Sequence, residues 1–144
     1  MKPQLNRMGL LAAAALLAAC QSAPQVPPAL PSLSALPGTQ WALADAAVAQ
    51  LPLGQQPELQ FISATQVLGN SGCNRFAGAA RVAGTALQLG PLAGTRRACS
   101  DALMALEQRV LRALDATREA RLEPGQLVLL DGRGGELLRW VQRR

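Results

Sequence analysis

The stretch Glu58-Leu-Gln-Phe-Ile-Ser-Ala-Thr-Gln-Val-Leu-Gly-Asn-Ser-Gly-Cys-Asn-Arg-Phe-Ala-Gly-Ala-Ala-Arg-Val82 holds three apolar runs separated by two short polar breaks. In the first run Leu59 and Phe61 alternate with Glu58 and Gln60, the two-residue period of a half-buried strand. Ala64-Thr65 reads as a tight turn into Gln66-Val-Leu68. Gly69-Asn-Ser-Gly-Cys-Asn74 follows. Gly, Asn and Ser tolerate left-handed backbone and bond to their own main chain, so this cluster reads as a turn or bulge. Arg75 to Val82 is the third run. Connections this short leave no room for a crossover, so the three strands pair antiparallel.

The pattern continues on both sides. Upstream, Gly38-Thr-Gln-Trp-Ala-Leu43 reads as a first strand with Trp41 and Leu43 on one face. Downstream, Ala86-Leu-Gln-Leu89 returns around Gly84. The period then changes from two to about 3.6. Leu103, Leu106, Val110, Ala113 and Leu114 recur at helical spacing, with Glu107, Gln108, Arg109 and Arg112 on the opposite side. Ser100 stands where an N-cap is expected, Asp101 suits the positive end of the helix dipole, and the pattern fades after Ala116. Strands resume with Arg118–Glu123, turn at Pro124-Gly125, run again through Gln126–Leu130, and close with Glu136–Val141 after the hairpin loop Asp131–Gly135. The order predicts an α+β fold: a curved antiparallel β-sheet or partly open barrel with one α-helix packed on it. With two Trp, two Phe and no Tyr, its core is built mostly from Leu, Val and Ala.

The N-terminus has a different character. Lys2 and Arg7 precede an apolar run, Met8 to Ala19, of about 12 residues, too short to span ~30 Å of hydrocarbon as a helix. That is the architecture of an export signal. Its end, Leu17-Ala-Ala-Cys20, resembles the bacterial lipobox, which implies cleavage before Cys20 and diacylglycerol on the Cys20 sulfur. Further acyl chains would strengthen the anchor, each buried CH2 contributing ~0.8 kcal/mol. Gln21 stands where Asp would retain such a protein on the inner membrane. The expectation is therefore an exported chain, lipid-anchored on the periplasmic face of a Gram-negative outer membrane. Five prolines between Gln21 and Pro37 favour an extended spacer. The sequence divides into a signal peptide (1–19), a lipidated Pro-rich tether (20–37) and one folded domain (38–144).

The net charge of +5 falls once Lys2 and Arg7 leave, since 14 basic residues minus these two gives 12 against nine acids. All 12 are Arg and the chain has no His. Arginine suits anionic surfaces, and Arg75, Arg96 and Arg97 are candidates for meeting a lipid headgroup or partner protein. No Arg run alternates with aromatics that stack bases, so a nucleic-acid partner is not expected.

No catalytic set emerges. Ser71 lies in Gly69-Asn-Ser-Gly-Cys73, which lacks the second Gly of a nucleophile elbow, and there is no His to activate a hydroxyl. The acids are scattered, and without His neither a metal site nor a cofactor is expected. Cys73 and Cys99 admit three states: a disulfide, two buried thiols, or a redox pair. Export favours oxidation, and a bond closing a loop of about 27 residues stabilises by ~3 kcal/mol.

Three blocks, in order and spacing, carry a family resemblance: Gly38-Thr-Gln-Trp41; Gly69-Asn-Ser-Gly-Cys-Asn-Arg-Phe-Ala-Gly78; and Leu87-Gln-Leu-Gly-Pro-Leu-Ala-Gly-Thr-Arg-Arg-Ala-Cys99. Glu107, Val110, Leu111 and Leu114 on the helix and Leu127-Val-Leu-Leu-Asp131 complete the set. The chain resembles the META domain, the HslJ-like family of bacterial heat-shock-associated and secreted lipoproteins, over roughly residues 37–141. Arg97 departs from the apolar residue usual there, and Ala79-Ala80 from an aromatic. The resemblance implies a small α+β domain without catalysis, linked to stress resistance and envelope integrity. Gly69, Ser71, Gly72, Asn74, Arg75, Phe76 and Gly78 then form a shaped motif turn, with Cys73 and Cys99 as its cross-link. The expected function is a membrane-anchored, non-enzymatic, monomeric domain that binds an envelope protein or lipid. The alternative is a module for a small amphiphile held in a cavity between sheet and helix.

Overall fold

The described residues form eight strands: β1 (Gln40–Leu43), β2 (Glu58–Phe61), β3 (Gln66–Asn70), β4 (Arg75–Ala83), β5 (Ala86–Gly94), β6 (Glu119–Glu123), β7 (Gln126–Leu130) and β8 (Glu136–Arg143); apolar and polar residues alternate clearly in β2 and β6, while β7 after Gln126 is an unbroken buried apolar run. Among the same residues one α-helix, α1 (Asp101–Ala116), lies between β5 and β6. The structure is a computed structural model that describes residue 29 and residues 31–144. The signal segment, Cys20 and most of the Pro-rich stretch lie outside the described residues.

Each strand pairs antiparallel with the next, and β8 returns to β1 through Gln40↔Arg143 to Leu43↔Trp140, so the sheet forms a ring. The ring is not a regular barrel. At one seam β5 and β6 share a single ladder position, Ala86↔Glu119. The helix joins these two strands and packs against β5 and β8. It presents Val110, Ala113 and Leu114 to a core that includes Trp41, Leu59, Phe61, Leu87, Leu127 and Trp140. The predicted α+β arrangement, a curved antiparallel sheet with one helix packed on it, is thus present. The space between sheet and helix, where an amphiphile was the alternative expectation, is occupied by these buried side chains.

Three local details differ from the pattern reading. Strand β5 continues five residues beyond Leu89. It does so because the long β4 pairs onward, Gly78 with Leu92 and Phe76 with Gly94, across a register shift between Gly78 and Ala80. Pro91 sits in this irregular stretch, where a missing N–H costs the ladder least. Ser100 occupies the N-cap position in extended backbone, yet its hydroxyl makes no capping bond; its carbonyl accepts from Met104 N instead. The folded body also begins before Gly38. Leu33–Ala35 form a single 3-10 turn with Ser32 as its cap, and Leu33 and Leu36 are buried in the main core. The end of the Pro-rich stretch is therefore part of the domain rather than spacer, because two of its leucines, three apart, point to the same side.

Loop 44–57 is tied to the helix. Asp45 accepts from the amides of Ala47 and Val48 and pairs with Arg109 at 2.9 Å. Hydrogen bonding from Arg109, opposed by partial desolvation, holds the Asp45 carboxyl below its ordinary range.

Candidate functional site

The turn between β3 and β4 is closed by its own residues and then locked from two other directions. Ser71 N donates to Asn74 O at 2.9 Å, and Asn70 Oδ1 accepts from Gly72 N at 2.9 Å. Gly72 has φ +113, a conformation side chains resist, and the Leu106 side chain lies against its open face. The turn is thereby shaped to receive the helix.

The first lock is Glu107. Asn74 N donates to Glu107 Oε2 at 2.9 Å, and Asn74 Nδ2 donates to Glu107 Oε1 at 3.2 Å. The Ser71 hydroxyl lies 2.9 Å from both Glu107 Oε2 and the Asn74 carbonyl, with one proton between them. Ser71 and Asn74 are buried. Three donors on one carboxylate form a charge-assisted network, the kind that holds its members in one geometry. Glu107 belongs by sequence pattern to the polar side of the helix, but the turn, not solvent, meets it.

The second lock is the segment after β5. Asn74 Oδ1 accepts from Arg97 N at 2.7 Å and from Thr95 Oγ1 at 2.9 Å, while Asn74 Nδ2 also donates to Arg97 O at 3.0 Å. Arg97 Nη2 donates back to Cys73 O at 2.7 Å. The Cys73–Cys99 disulfide, Cα–Cα 6.0 Å, closes the same junction covalently. Of the three states open to these cysteines, the pair is oxidised in this structure.

The motif residues thus divide. Ser71, Gly72, Cys73 and Asn74 make the knot. Gly69 and Gly78 lie in strands β3 and β4, not in the turn. Gly69 stands opposite Phe76, and a Cβ there would overlap the Phe76 ring and the Glu58 carbonyl; at Gly78 a Cβ would fall 2.5 Å from Pro91 O. These glycines are required by close approach rather than by backbone freedom. Phe76 is buried over Gly69, and Arg75 is exposed.

Beside the knot the outer face of β1, β2 and β3 opens into a cleft of about 710 Å³. Arg75, Arg97 and Arg143 line it, with Gln40, Gln60 and Asn70. The one acid in its lining, Glu58, pairs with Arg143 at 3.0 Å. Among the described residues Arg75 and Arg97 have no carboxylate partner. Two of the three predicted interaction residues are therefore brought together here. Arg96 is exposed on the same segment but does not line the cleft. No local pattern marks Arg143 as a site residue; only the closure of β8 onto β1, a pairing of distant segments, places it there. Among the described residues no group of three potential metal ligands gathers in one place.

The chain is similar to several solved structures. An NMR structure of a protein from Burkholderia xenovorans is 24% identical, with TM-score 0.59, covering 75% of this chain and 83% of that one. A second NMR structure is also 24% identical, with TM-score 0.56, covering 74% of this chain and 90% of that one. The crystal structure of a DUF4847 family protein from Bacteroides vulgatus is 11% identical, with TM-score 0.54, covering 74% of this chain and 94% of that one. At these identities the likeness concerns the fold. No curated protein matches the sequence. The model of the META domain matches residues 34–144, from the 3-10 turn to the C-terminus, so the knot, the cleft and the ring of strands all lie inside it and this chain belongs to the META domain family.

Proposed function

We propose that this is a non-enzymatic META-domain lipoprotein, anchored through Cys20 to the periplasmic face of the outer membrane. Its folded body binds an envelope protein or lipid and so supports the envelope under stress. The observation that carries the binding role is the cleft beside the knot. Arg75 and Arg97, which have no carboxylate partner among the described residues, face a recess of molecular size, and the recess is held by a cross-linked, hydrogen-bonded turn. A rigid scaffold that presents exposed charge from a loop junction is the common arrangement of a recognition site. The anchor rests on the lipobox at Leu17-Ala-Ala-Cys20 and on the spacer after it.

Two measurements test the two halves. Mass spectrometry of the mature protein should find an acylated Cys20 as N-terminus; an unmodified peptide spanning residues 8–24 would remove the anchor. A photo-crosslinking residue at position 68, beside the cleft, should capture a discrete partner in cells, and the same residue at position 133 should not. Equal labelling from both positions, or none from 68, would sink the binding role.

A further inference from the structure

The cleft continues into a second feature of different chemistry. Leu68 and Arg75 line it and also line the outer face of β3, β4 and β5. That face is mostly apolar: Ile62, Leu68, Ala77, Pro91 and Ala93 border one shallow depression, together with Thr65 and Gln66. Ile62 and Leu68 are each 43% exposed, which is costly for large aliphatic side chains with nothing packed on them. A patch of exposed apolar residues rimmed by charge marks an interaction surface.

We propose that this combined surface docks on an anionic phospholipid membrane, with a lipid phosphate between Arg75 and Arg97 and the face bearing Ile62 and Leu68 against the acyl boundary. The assignment deepens the binding role proposed above and rests on it. Three observations select this occupant. The cleft carries three guanidinium groups against one carboxylate, and that carboxylate already has Arg143, so the free charge is cationic. The apolar part adjoins the cationic part through Leu68, the amphipathic arrangement of a surface that lies in a membrane interface. Finally, strands β1 to β4 are paired on both sides, so no free edge near the cleft invites an extended peptide by strand addition.

The test uses residues 21–144, which lack Cys20 and so carry no acyl chain. Among the described residues every core residue falls between Leu33 and Trp140, so this chain retains that core, and its thermal unfolding is measured first. It is sedimented with vesicles of phosphatidylcholine, with or without phosphatidylglycerol, and titrated with glycerol phosphate while arginine side-chain resonances are followed by NMR. The expected result is binding to phosphatidylglycerol vesicles and not to phosphatidylcholine alone. Arg75→Glu should weaken it at least about tenfold, as expected when cationic groups near an anionic surface are lost. Leu68→Ser should weaken it as well, Arg133→Glu should not, and Arg75→Lys should retain most of it. Arg75 makes no side-chain bond among the described residues, so its variants should fold; matching thermal midpoints would confirm that. Equal binding to both vesicle types, or equal losses for Arg75→Glu and Arg133→Glu, would overturn the proposal. So would resonance shifts with glycerol phosphate and no vesicle binding, which would assign a soluble phosphate ester. Tighter binding of an acidic peptide than of vesicles would overturn it in favour of a protein. In that last case, a cross-linked protein partner from position 68 would leave the broader binding role standing.

Discussion

Glu107 and Gly69 show how single residues hold the site. Glu107 accepts three donors from the β3–β4 turn, two of them on Asn74. Truncation strands the Asn74 N–H and one of its two amide protons at a buried place, while the Ser71 hydroxyl keeps the Asn74 carbonyl and Asn74 Nδ2 keeps the Arg97 carbonyl; an orphaned donor to a charged partner costs more than an ordinary lost bond. Glu107→Ala should therefore lower stability by about 2–3 kcal/mol, read as a shift in urea midpoint at constant slope. Glu107→Gln is the sharper test. It keeps shape but turns one acceptor into a donor facing a donor, so it should cost about half as much; a neutral Gln would mean the network contributes nothing. Gly69→Ala adds one methyl group where the Phe76 ring and the Glu58 carbonyl already lie. The backbone carbonyl cannot yield cheaply, so a loss of about 1–3 kcal/mol is expected from overpacking, with the Phe76 ring displaced in near-UV circular dichroism. A fully tolerated Gly69→Ala would contradict the close strand contact.

At the scale of elements, what the sequence makes legible is local. Strand alternation identifies β2, an unbroken apolar run identifies β7, and helical spacing identifies α1, since Leu59/Phe61, Leu127–Leu130 or Val110/Leu114 need only their own neighbours to declare themselves. The knot was half legible: its turn and cysteines stood in the motif, but Glu107 reads by periodicity as solvated, and only packing of α1 against the turn makes it an anchor. Arg143 was illegible for the same reason, because ring closure is a pairing across about a hundred residues. The α1-to-loop tie offers a pH test. Asp45 is held below its ordinary range chiefly by Arg109, so its ionised form is favoured by folding. The stability it contributes is present above the unfolded carboxyl value of about 3.9 and is lost as pH falls through the lower folded value. With Arg109 half exposed, the pair contributes little, about 0.5–1 kcal/mol after solvent screening. Asp45→Asn should lose that amount at pH 7 by thermal denaturation. The gap from the parent should begin to narrow below about pH 4 and close as pH falls through the lower folded value, where the parent carboxyl is protonated too. A gap that persists unchanged at pH 2 would assign the effect to the loop amides instead.

For the whole molecule, the ring has one weak seam and two kinds of filling. At the β5–β6 seam the helix supplies the missing side wall. Elsewhere the chain before β1 contributes Leu33 and Leu36, which pack against the same core as Phe61 and Ala80, and the Leu36 carbonyl accepts from Thr39, whose hydroxyl in turn accepts from the Trp41 indole at 2.7 Å. This short segment links whatever precedes it directly to the core. A body that began at β1 would expose the Phe61 side of the core and release the Thr39–Trp41 bond. Leu36→Ala should therefore cost about 2–4 kcal/mol, the range for a fully buried leucine, although the residue lies in a Pro-rich stretch that composition alone assigns to spacer. A chain begun at residue 38 should be less stable still, having lost Leu33 as well, while one begun at residue 31 should match the longer chain. Urea denaturation of the three measures it. If starts at 31 and 38 unfold at the same midpoint, the segment is spacer after all. Tension on any anchor upstream would then reach the ring only at β1, not through the core.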